Sequence, residues 1–135
     1  MNVLLSIKPE FADKILCGKK RYEFRKTRFT QAGSGSIVYL YSSSPVQRIV
    51  GHFTISDVVS SCPEGLWDQF GEHSGIKNRE RFLQYFNGTD IGYAIGIEDF
   101  EQLDEPVDPR EFFEDFRPPV SFQYVNGELD TIRAL

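Results

Sequence analysis

The hydrophobic period changes twice between Asn2 and Arg25, and that succession restricts the fold more than any other feature of the chain. NVLLSIK (2–8) is short, apolar and suited to a pleated sheet, which predicts a first strand. Pro9 fits the first turn of a helix, where its missing N–H removes no hydrogen bond, and Phe11, Ile15 and Leu16 then share one helical face. Gly18 ends that helix, because glycine takes the left-handed cap conformation without a Cβ clash. Lys19 and Lys20 follow at the C-terminus, where the helix dipole favours cations. From Arg21 the period becomes two: Tyr22 and Phe24 alternate with Arg21, Glu23 and Arg25, so a strand buries the aromatics and gathers three charges on its other face.

Downstream, TQAGSGS (30–36) predicts a loop, and IVYLY (37–41) and RIVGHFTISDVV (48–59) predict strands joined by the turn SSSPVQ. Gly51 marks a bulge or sharp bend of the kind a small barrel needs. PEGLWDQF (63–70) and NRERFLQYF (78–86) predict two short helices, the second with Asn78 as N-cap and Gly88 as terminator. GYAIGI (92–97) returns to strand, and 98–116 reads as an acidic surface segment with a short helix from Pro109. RPPVSFQYV (117–125) predicts a turn and a last strand, and NGELDTIRAL a tail. The fold class expected is α+β: a mixed, mostly antiparallel β-barrel with short helices at its rim. A length of 135 residues predicts a single domain over 1–135.

The net charge is −5, yet its distribution is uneven. Residues 1–28 hold eight Lys/Arg against three Asp/Glu, and the remainder seven against seventeen, a pattern that can set up a local positive field on an acidic chain. The acidic run at 98–115 would repel nucleic acid, so it should lie away from a binding cleft or act as a partner surface, and the acidic C-terminal half could meet a protein partner. No apolar run approaches the eighteen or so residues of a membrane span, and the N-terminus does not read as a leader, so a soluble cytoplasmic protein is expected. Cys17 reads as a buried small hydrophobe, and neither Cys17 nor Cys62 has disulfide-framework or zinc spacing. No metal or cofactor is expected: His52 and His73 are not at metal-ligand spacing and have no third ligand.

GKKRYEFR (18–25) admits two readings from its residues: a solvated ladder of charges, or a site in which Arg25 forks a phosphate or base edge, Lys20 is a mobile cation and Glu23 an acceptor. Lys19, Arg21, Lys26 and Arg28 extend the basic stretch toward phosphates or solvent. As a base or nucleophile, Lys20 needs a pKa lowered by burial or by cations such as Lys19 and Arg21, an effect Glu23 opposes. His52 either lines the barrel cleft or is an ordinary strand histidine, and His73 either pairs with Glu72 as a base or is exposed in its loop. Tyr39, Tyr41, Trp67, Phe122 and Tyr124 divide between core and a base-stacking platform, with Tyr39 and Tyr41 on one strand face.

At GKKRYEFR the chain resembles the ASCH family of the PUA-like superfamily, whose signature of glycine, lysine, glutamate and arginine falls on Gly18, Lys20, Glu23 and Arg25. The helix before the motif, SSSPVQRIVGHF, and FRPPVSFQYV extend the resemblance over most of the chain to a bacterial and phage subgroup. The resemblance implies a PUA-like barrel whose cleft, lined by the motif, binds RNA or a modified nucleotide. It also implies an alternative, a nucleotide-directed hydrolase. One group of similar small proteins hydrolyses acetylcytidine as amidohydrolases, and others are described as ribonucleases. Their catalytic lysine falls on Lys20; where they carry threonine this chain departs with Glu23, and Glu72 is the counterpart in reach for their glutamate.

Overall fold

The computed structural model describes residues 1–133. β1 (Asn2–Ile7) runs into α1 (Pro9–Leu16), which opens on Pro9 and closes ahead of Gly18 at φ +84°. β2 (Tyr22–Arg25), β3 (Ile37–Ser42) and β4 (Arg48–Ser61) follow. α2 (Pro63–Phe70) and α3 (Arg79–Tyr85) form the helical insertion, and the Asn78 side chain caps α3 by accepting from the Glu80 and Arg81 amides. β5 (Gly92–Val107), β6 (Phe122–Val125) and α4 (Asp130–Arg133) complete the described chain.

The six strands form one sheet in the order β2-β5-β4-β3-β1-β6, with β1 and β3 parallel and the other pairs antiparallel. This mixed sheet curls into a half-barrel whose edge strands are β2 and β6. Inside it, Val3, Leu5, Val38, Leu40, Phe53, Ile55 and Ile95 pack with Ala12 and Ile15 of α1. Alternation sends Leu4, Ile37, Tyr39 and Tyr41 to the other face, under Leu129, Ile132 and the half-buried Phe112, Phe113 and Phe116. A third cluster joins Phe24 and Ala94 to Leu66, Phe82 and Phe86 of the insertion helices.

Between β2 and β6 side chains do what a ladder does elsewhere. The Arg25 guanidinium lies 4.8 Å from the Phe29 ring and 4.6 Å from the Phe122 ring. The Tyr124 hydroxyl accepts from the Thr30 and Gln31 amides at 2.8 and 3.2 Å, tying the loop after β2 to β6.

Several expectations are corrected. The acidic run is strand as far as Val107, because β4 is long enough to offer Ile49, Gly51, His52 and Thr54 as ladder partners to Val107, Gln102, Glu101 and Glu98. The expected tail contains α4; Leu129 just before it and Ile132 within it are each 1% exposed on the outer core, and Ala134 and Leu135 lie outside the described residues. Cys17 is exposed, since the buried face of α1 is carried by Ala12 and Ile15. Gly51 does mark a bulge: register shifts on both sides of it turn Ile49 outward while Phe53 and Ile55 stay inside.

Candidate functional site

Lys20, Glu23 and Arg25 meet at the open side of the half-barrel. They line a cleft of about 470 Å³ whose walls come from β1 and the start of α1, from β2, from α3, and from the residues before β6. Tyr22 and Phe24 pack into the helical cluster, as the period of two requires, and Phe24 also borders the cleft. The charges at the cleft are nonetheless not solvated: Lys20, ahead of β2, is 2% exposed and Arg25 on it 9%. Lys19 and Arg21 are exposed and do not line the cleft, so the basic stretch divides into an inward set and an outward set.

The Lys20 ammonium donates to the Ser74 carbonyl at 2.6 Å and stands 3.8 Å from Glu23 Oε1. Aromatic faces surround it, with the Phe24 and Phe11 centroids at 5.1 and 5.5 Å. Glu23 Oε1 accepts from the Phe24 amide at 3.0 Å. The loop carrying Ser74 is itself clamped: Lys14 Nζ donates to the Gly75 carbonyl at 2.7 Å and the Arg21 amide to the His73 carbonyl at 2.8 Å. Glu72 and His73 are exposed on this loop and neither lines the cleft, so the segment serves Lys20 through backbone carbonyls rather than through the Glu72 side chain.

Burial pushes the Lys20 pKa down, Glu23 pulls it up, and the cation that lowers it further is Lys14 rather than Lys19 or Arg21. The sign of the linked stability follows. An unfolded lysine titrates near 10.5, so between the lowered folded value and 10.5 the unfolded chain binds the extra proton and stability rises with pH. Urea midpoints of the wild type should climb between neutral pH and pH 10 by more than those of Lys20→Met; parallel profiles would show that Lys20 carries no such penalty.

Arg25 has no hydrogen-bond or ion-pair partner among the described residues, and its Nε is buried without an acceptor. Burial lowers its pKa, with Tyr85, Glu23 and Tyr124 acting in the opposite sense, and a guanidinium starts so high that it remains charged. The Phe29 and Phe122 centroids lie only 4.8 Å apart with their planes 72° apart, so both rings contact the guanidinium from one side, and the group lines the cleft.

Composition and the motif did not reveal Lys8, Phe11, Arg81, Gln84 and Tyr85, which also line the cleft. Arg81, Gln84 and Tyr85 stand at i, i+3 and i+4 on α3, beside the buried Phe82 and Phe86, so the spacing that predicted the helix also contained its second face. Burial raises the Tyr85 pKa, which keeps the phenol protonated, and its hydroxyl donates to the Phe24 carbonyl at 3.4 Å. Tyr39 and Tyr41 face the outer core. So does His52, 6% exposed, with its ring 6.1 Å from that of Tyr39 and Nε2 3.8 Å from Glu101; burial lowers its pKa.

The family model described as "ASCH domain" matches residues 5–117. The chain belongs to the ASCH domain family. An "ASCH domain-containing ribonuclease" from Zymomonas mobilis is 27% identical to this ASCH chain over 130 residues, 94% of this chain and 86% of that protein. The crystal structure of ASCH from Zymomonas mobilis superposes with a TM-score of 0.88 at 25% identity, covering 98% of this chain and 93% of that one. A Pyrococcus furiosus protein solved in solution shares the fold at a TM-score of 0.51 and 18% identity, over 78% of this chain and all of that one. The PUA-like barrel expected from the motif is thus the observed fold, as a half-barrel with four short helices.

Proposed function

We propose that this ASCH domain binds single-stranded RNA or a nucleotide in the cleft, with a phosphate on the edge of Arg25 and a base against Lys20 and Glu23. The unpartnered Arg25 carries this reading. A cation taken out of water is costly unless an anion meets it, and no described residue supplies that anion, so the ligand does. Contact with Phe29 and Phe122 holds the guanidinium at the cleft wall, and its unpartnered donors suit the two-pronged bridge that a phosphate accepts. Lys8 and Arg81 at the rim add positive charge, and the acidic residues of β5 line no part of the cleft.

A second reading, hydrolysis of the bound RNA, is favoured by the lowered pKa of Lys20 and by the name of the Zymomonas relative. A lysine whose pKa lies nearer neutrality exchanges a proton during phosphoryl transfer more readily, and its charged form stabilises the negative charge that develops. The exposed free thiols of Cys17 and Cys62 suit a reducing, cytoplasmic setting, and we read residues 1–135 as one domain.

Titration of a short single-stranded RNA across a salt series tests the proposal. Wild type should bind with a linear fall of log K against log salt, and Arg25→Met, which keeps an apolar stem against the two rings, should bind about 10- to 100-fold more weakly with a slope smaller by about one. Unchanged affinity in Arg25→Met would reject the phosphate role.

A further inference from the structure

We propose that a second cavity, beyond the Arg25–Phe29 contact, takes the nucleotide flanking the one in the cleft, so that the protein grips a single strand of RNA across the end of β2. The proposal rests on the cleft reading above and extends it to a site that the motif does not touch.

This cavity holds about 350 Å³, room for a base and its sugar. It adjoins the first one closely: Arg25 lines the cleft, Phe29 lines the second cavity, and the Arg25 guanidinium lies 4.8 Å from the Phe29 ring. Tyr93, another lining residue, is the ladder partner of Arg25 on β5. A strand leaving Arg25 thus meets the second cavity within the reach of one nucleotide step.

The cations follow the same course. Lys26, its Nζ 4.8 Å from the Tyr85 centroid, stands by the cleft, and Arg28 is exposed at the second cavity. On a chain of net charge −5, Arg28 is the one charged residue among those lining this cavity, and no carboxylate joins it. Phe29 forms an apolar floor, and the half-exposed Tyr93 and exposed Val58 offer surface on which a base can pack. The hydroxyls of Thr27, Ser60 and Tyr93 have no hydrogen-bond partner among the described residues, whereas Ser34 donates its proton to the Ser56 carbonyl. Unspent hydroxyls, a packing surface and one cation suit a sugar, a base and a phosphate. A single cation holds a free nucleotide weakly, but a nucleotide tethered to one already on Arg25 arrives at high effective concentration.

The test measures binding of 2′-fluoro oligouridylates of one, two and four nucleotides, which lack the hydroxyl needed for self-cleavage, to wild type, Arg28→Ala and Tyr93→Thr. Wild type should bind the tetranucleotide at least about tenfold more tightly than the mononucleotide, in line with the contribution of one stacked base. Each variant should lose most of that gain while keeping wild-type affinity for the mononucleotide, which also shows that its cleft is folded. Equal affinity at all lengths, or a variant that weakens every length alike, would overturn the second subsite and leave the cleft reading standing. Absence of binding at every length would remove the cleft reading and this extension together.

Discussion

Lys20→Met should lower RNA affinity by about 10- to 100-fold, since it deletes a charge-assisted donor that is nearly buried in the cleft wall. If the protein cleaves RNA, turnover should fall by about 100-fold or more, the usual contribution of a positioned proton-transfer group. Methionine keeps the unbranched stem that lies among Phe11 and Phe24, and it removes a charge whose burial is unfavourable. The melting temperature at neutral pH should therefore stay within a few degrees of wild type, which separates the loss of function from a loss of fold. Anisotropy titration, single-turnover chromatography and a thermal melt on one preparation read all three quantities. Wild-type affinity in a folded Lys20→Met protein would sink the assignment of Lys20 to the site.

Gly51→Ala carries the second large effect, on stability. A Cβ at Gly51 would lie 2.5 Å from the Glu101 carbonyl oxygen and 2.6 Å from Leu16 Cδ2. The side chain of Leu16 can rotate, but the carbonyl is held in the β4–β5 ladder, where Gly51 faces Gln102 and His52 faces Glu101. Making room means separating those strands at the bulge, so a loss of about 3 kcal/mol is expected, or roughly 10 °C in melting temperature. Gly51→Ala combined with Leu16→Ala should recover little, because the backbone clash persists. Gly33→Ala, with nothing within 4 Å of its Cβ, is the control and should shift stability by less than about 0.5 kcal/mol. A Gly51→Ala protein as stable as that control would mean the close approach of β4, β5 and α1 is looser than described.

The local half of this architecture was legible in the chain. Pro9 and Gly18 bound α1, Asn78 caps α3, and the alternation in RYEFR separates Tyr22 and Phe24 from Glu23 and Arg25, because capping and pleating act between residues a few positions apart. The motif likewise singled out Lys20, Glu23 and Arg25, which do converge. What misled was the environment of each face. Glu98–Val107 read as an acidic surface segment and the last ten residues as a tail, yet the end of β5 and α4 form because a distant partner, β4 or the outer face of β1 and β3, supplies hydrogen bonds or apolar surface.

The same division holds for the site. By itself the sequence determined that Glu23 and Arg25 share a face, since that depends only on backbone period, but the period also put Arg21 with them, whereas β2 starts at Tyr22 and Arg21 is exposed outside the cleft. Only the tertiary structure decided that Lys20 and Arg25 are nearly buried in a cleft wall rather than solvated, that Lys14 and the Ser74 carbonyl are the neighbours of Lys20, and that Arg25 packs against Phe29 and Phe122 without an anion. The physical reason is that desolvation and charge pairing are set by groups brought together across β1, β2, α3 and β6, whose spacing along the chain carries no trace of their spacing in the fold.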